Sequence, residues 1–180
     1  MLIPCFLVLG VGLIVIQSTL LQFLPAWFGR PDLVYILVAF IAYRFDWIRG
    51  LFIVFVLGWM MDVVSGMYLG TFPLQYFLVF VSLKILSENS PVKETAYQVP
   101  LVGISYFLVQ MALYSVYSLT LPDTIPEWSW SKVIVKSLIL VVATIPCFLL
   151  YNSLYEYIQK KRLSPRILRR RSGNRFRGQG

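Results

Sequence analysis

Six apolar runs, each closed by a short break rich in proline, glycine, tryptophan or charge, occupy most of residues 2 to 151. Such a run has no polar face to turn to water, so it must be buried in protein or in lipid. The chain is 58% hydrophobic and 13% charged, where an ordinary soluble domain is ~45–50% apolar and ~25% charged. Six spans of roughly 20 residues would use about two thirds of the 180 residues and leave no room for a second folded domain. The expected fold class is an all-α integral membrane protein: a polytopic bundle of about six transmembrane helices with short loops over residues 1–159, then a basic cytoplasmic tail at 160–180.

The first run, Leu2 to Leu24, carries Gln17, Ser18, Thr19 and Gln22 near its end, a polar patch suited to facing other helices. It lacks the charged start of a cleavable signal and is expected to be retained as a span. Arg30-Pro31-Asp32 then makes a short turn. The second run, Pro31 to Tyr43 or as far as Trp47, is ~20–25 Å long against a ~30 Å hydrocarbon core. Tyr43 to Gly50 reads as a tight turn, with Trp47 as an interface anchor and Gly50 opening the next helix, so spans two and three form an antiparallel hairpin. The remaining spans are Leu51 to Val64, Thr71 to Leu86, Val99 to Leu121 and Val133 to Tyr151. Lys84 snorkels at the end of the fourth with no special role, and Pro146 kinks the sixth or is satisfied by its neighbours.

Charge is concentrated at one end. Of sixteen Lys and Arg, nine lie between Lys160 and Gly180, and residues 1–159 carry a net charge of −1. A basic stretch after the last apolar run, with Lys160, Lys161, Arg162, Arg169, Arg170 and Arg171, reads as a cytoplasmic topology signal and an anionic-lipid contact, not as a nucleic-acid arm. Six spans then put both termini in the cytoplasm, with thirteen bases inside and three outside.

The chain has no histidine, which excludes Ser-His and Cys-His catalysis and histidine metal sites. Cys5 and Cys147 lie in apolar runs without metal-site spacing and read as packing residues. Asp46 and Asp62 fall at opposite ends of one span and cannot pair as a catalytic dyad, and no phosphate-binding loop is present. No catalytic, cofactor or metal residue is therefore expected. Asp62 is the least expected residue, because a carboxylate at mid-bilayer costs ~2.5–3.5 kcal/mol on insertion scales. Its expected role is a cap, accepting hydrogen bonds from Ser65 and from backbone N–H groups that open the fourth helix. Gly66 is expected at positive φ between the helices. Asp62, Ser65, Gly66 and Gly70 thus form a candidate structural turn or partner-binding feature, and Gly66 to Gly70 straddles that turn despite its GxxxG spacing.

The run GWMMDVVSGMYLGTFPLQYFLV, Gly58 to Val79, resembles the signature of the MreD rod-shape-determining family. Gly58, Asp62, Ser65, Gly66, Leu69 and Gly70 fit that pattern, with Trp59 where Leu is commoner. The upstream RPDLVYILVAF, Arg30 to Phe40, and the basic end extend the resemblance over most of the chain. It implies a non-enzymatic bacterial inner-membrane scaffold of the cell-wall elongation complex. Such a scaffold binds MreC and links MreB to RodA and its penicillin-binding transpeptidase in lateral peptidoglycan synthesis, maintaining cell shape. It also implies a helical arrangement like the substrate-binding subunits (S-components) of vitamin transporters. The alternative is a small-molecule or lipid-binding membrane transport subunit, suggested by Gln17, Gln22, Gln75 and Gln110 in or near spans.

Overall fold

The computed structural model describes the backbone of residues 2–20, 32–66, 70–89, 95–120 and 130–172. It contains six helices: α1 (Leu2–Leu20), α2 (Leu33–Arg44), α3 (Trp47–Ser65), α4 (Thr71–Asn89), α5 (Thr95–Thr120) and α6 (Trp130–Ser172), with no strand among the described residues. Gln22 and Leu24, the Arg30-Pro31 turn, Leu69, Lys93 and Trp128 lie outside the described residues. Among the described residues three stretches are long and apolar enough to cross a membrane: Trp47–Ser65, Gln98–Val116 and Val133–Lys160. Ile3–Thr19 and Leu33–Arg44 are apolar but shorter.

The core is built around α2. Every residue from Val34 to Ala42 is at most 3% exposed, which suits a helix that is apolar all round. At 12 residues it is about 18 Å long, shorter than the sequence suggests, because Asp32 caps it and Leu33 begins it. The expected pairing of α2 with α3 is only a minor contact. The helix packs chiefly against α4 and α6 and also meets α1, while Tyr35 reaches Ser105 and Tyr106 on α5.

The outer helices are built the other way round. Phe52, Phe55 and Trp59 of α3, Leu108 of α5, and Leu138 and Leu149 of α6 are all more than half exposed. Apolar side chains thus cover both the core and much of the outer surface.

Two expected boundaries move. The break between α2 and α3 is only Phe45-Asp46, so Trp47 starts α3 and Gly50 lies inside it against the Phe80 ring. The tail does not begin where a helix ends: α6 runs on through Lys160 to Ser172, passing Pro146 without interruption. Lysine and arginine are good helix formers, so a change from apolar to basic composition need not stop a helix.

Candidate functional site

The carboxylate of Asp62, in the last turn of α3, is 4% exposed and accepts hydrogen bonds from the backbone N–H groups of Gly70 and of Phe72, the latter at 2.9 Å. These groups open α4, where the first turn has no intrahelical acceptor. Pro73 follows and has no N–H to satisfy, and Leu74 N–H donates to the Gly70 carbonyl at 3.1 Å. Asp62 thus caps α4 from the preceding helix, as its sequence position suggests.

The turn itself needs glycine. Gly66 ends α3 in the left-handed region (φ 62°, ψ 17°), its N–H donating to the Asp62 carbonyl at 3.1 Å, and Gly70 has φ 98°. Ser65 does not reach the carboxylate as expected: its hydroxyl points back to the Asp62 main-chain carbonyl, 3.5 Å away, as a serine three residues on in a helix can. Gly58 matters differently. A Cβ there would lie 2.7 Å from the Pro73 Cα, so α3 and α4 cross backbone to backbone at this point.

A second carboxylate does the same work at the same end. Asp32 caps α2, accepting from the Tyr35 N–H at 3.1 Å and from the Tyr76 hydroxyl at 3.0 and 3.2 Å to its two oxygens. Gln17 of α1 approaches it at 3.5 Å through its amide nitrogen and takes the Leu33 N–H on its amide oxygen at 3.0 Å. Tyr76 is fully buried in α4, between the turn that Asp62 fixes and the cap that Asp32 forms. Asp62 therefore sets the start of α4, and α4 in turn delivers Tyr76 to Asp32.

The network continues inward. The Ser105 hydroxyl donates to the Val102 carbonyl at 2.8 Å, so the Tyr35 hydroxyl is the donor in its 3.0 Å bond to Ser105. Directed hydrogen bonds thus link α1 to α2, α2 to α4 and α5, and α3 to α4. Both acids accept from neutral donors. Among the described residues no group of three metal-binding side chains converges. Asp46 and Asp62 lie about 24 Å apart along α3. The geometry braces the start of α2 and of α4 against their neighbours.

Asp32, Tyr76, Gln17 and Gly58 are the residues sequence reasoning undervalues. Asp32 could have been found as a cap residue directly before an apolar run.

At the Arg44 end, Lys84 does more than snorkel. Its ammonium donates to the Phe45 carbonyl at 2.8 Å, fastening the α2–α3 break to α4, and it lies 3.6 Å from Glu88. Trp47 donates to Glu88 at 2.8 Å. Arg44 donates to Asn152 at 2.7 Å and sits over the Tyr155 ring. Lys160 is exposed on α6, and the helix backbone beyond it carries Lys161, Arg162, Arg169, Arg170 and Arg171. No protein family, characterised protein or solved structure matches this chain.

Proposed function

We propose that this chain is a multi-pass inner-membrane scaffold of the MreD type, with six spans and both termini in the cytoplasm. In this reading it binds an MreC-like protein and joins MreB to RodA and its transpeptidase during lateral peptidoglycan synthesis.

The observation that carries the reading is that the resembling motif coincides with one braced structure. Gly58 permits the crossing of α3 and α4, Asp62 caps α4, and Gly66 and Gly70 hold the positive-φ turn. A turn fixed in this way presents a rigid surface, which is what a scaffold needs. The short α2 is compatible with six spans, because a helix enclosed by protein need not match the lipid thickness. The exposed apolar faces of α3, α5 and α6 suit a lipid surround, and the bases along the end of α6 suit a cytoplasmic exit.

Depletion in a rod-shaped host tests the reading: cells are expected to round up, and rods that persist after depletion would overturn it. Co-purification with an MreC-like protein in detergent is the second expected result. Its loss under conditions that keep the other members together would refute the partner assignment.

A further inference from the structure

At 43 residues α6 is about 64 Å long, well beyond the ~40–45 Å of a bilayer with its headgroups. From Trp130 to Ile158, the last of its described side chains packed against the core, it already covers about 42 Å. Lys160, Lys161 and Arg162 follow within about 6 Å of that point along the axis. They stay inside the reach of anionic headgroups, given a Debye length of ~8 Å. Arg169, Arg170 and Arg171 do not. They lie about 16–20 Å beyond Ile158 along the helix, or about 15–18 Å along the membrane normal at a usual tilt of ~20°. Two Debye lengths of salt solution screen them from the lipid.

The same stretch sorts its bases by kind and by position. After Lys161 every base in the chain is an arginine. By helical register Arg162, Arg166, Arg169 and Arg170 stand at i, i+4, i+7 and i+8, which makes one face about 12 Å long. Leu163 and Ile167 stand at i and i+4 on the strip beside it.

We infer that this arginine face docks an acidic helix of a cytoplasmic protein. The planar guanidinium pairs two-pronged with a carboxylate and is more weakly hydrated than an ammonium, so arginine suits a protein interface where lysine suits a headgroup layer. Carboxylates repeated at helical spacing on a partner would meet arginines repeated in the same way. Lipid is out of reach of the distal half of the face. A nucleic-acid backbone would match the arginines but offers nothing apolar to Leu163 and Ile167. Docking of this kind rests on the membrane reading above and on none of the cell-wall partners.

The test uses the full chain in phosphatidylcholine nanodiscs, titrated with a fluorescent helical peptide that carries glutamates at i, i+4, i+7 and i+8 beside a leucine strip. A scrambled peptide of the same composition is the control. Fluorescence anisotropy is expected to show tighter binding of the ordered peptide. The triple variant Arg166→Gln, Arg169→Gln, Arg170→Gln is expected to lose about tenfold in affinity, two- to threefold for each exposed ion pair, while Lys160→Gln with Lys161→Gln keeps most of it. Equal or no binding of the two peptides, or a triple variant that binds as wild type does, would overturn the docking face. Polyuridylate bound more tightly than the ordered peptide would assign the face to RNA instead. Loss of peptide binding on adding phosphatidylglycerol to the nanodisc would assign it to lipid. A chain that stays in solution without detergent would overturn the membrane reading, and the docking face with it.

Discussion

At its Asp32 end α2 is tied to α1 and α4 by hydrogen bonds that converge on one carboxylate, whereas at its Arg44 end it lies among aromatic rings. There Phe40 stacks on Phe6 (5.9 Å between centroids) and meets Phe148 and Tyr151 edge-on at 5.7 and 5.6 Å. Phe45 meets Phe6 edge-on at 5.0 Å. A buried carboxylate bond is directional, and removing either partner strands the other. Ring contacts are many and broad in geometry, and a similar side chain recovers most of them. The Asp32 end therefore fixes position, and the Arg44 end chiefly fills space, with Lys84 holding the Phe45 carbonyl just beyond it.

If that contrast is right, substitutions at the braced end should be the costlier ones. The largest effect is expected for Asp62→Ala, which strands the Gly70 and Phe72 N–H groups in a buried turn. With about 1.5–3 kcal/mol for a hydrogen bond to a charged group, a loss of about 3 kcal/mol and a sharp drop in folded yield should appear in a detergent denaturation series. A variant with wild-type stability would show that Asp62 is not the cap. Next comes Gly66→Leu, where a branched side chain must adopt φ 62°. The left-handed conformation costs about 1–2 kcal/mol, and the same series should show it, with Gly66→Asn recovering a part. Tyr76→Phe removes one donor from Asp32 and leaves the ring in place, for an expected loss of about 1.5 kcal/mol.

The difference between the ends also explains what could be read from the residues in advance. Asp62, Gly66 and Gly70 lie within nine residues, and a carboxylate beside glycines in an apolar run announces a local backbone need. The Asp32 brace is assembled from residues 15 and 44 positions away, Gln17 and Tyr76, and no local pattern encodes that meeting. The helical class and the approximate runs follow from apolar continuity, but the start of α3 does not. Gly50 looks like a helix opener in sequence and is instead a gap into which Phe80 packs. That α2 is buried in protein or in lipid follows from an apolar surface without a polar face, while its enclosure by protein and its preference for α4 and α6 over its sequence neighbour α3 are set by tertiary packing.

The aromatic end should yield the smaller losses. Phe148→Leu, at a residue 3% exposed, keeps apolar volume and gives up its edge-on contacts with Phe40 and Tyr43. About 1 kcal/mol is expected from one aromatic pair and a near-isosteric repacking. A loss as large as that of Asp62→Ala would collapse the distinction between the two ends.

Arg44→Gln should be smaller still. Arg44 is exposed, and its bond to Asn152 and its place 5.8 Å over the Tyr155 ring both compete with water. Exposed charge contacts and cation–π pairs contribute about 0.5 kcal/mol each, and salt screens them further. Lys84 still holds the Phe45 carbonyl in this variant, so the α2–α3 break keeps its buried anchor. The expected melting curve overlays wild type at high ionic strength and separates slightly at low. A large, salt-independent loss would mean that Arg44 anchors α2 to α6 as firmly as Asp32 anchors α2 to α4, and the Arg44 end would then be a second braced end.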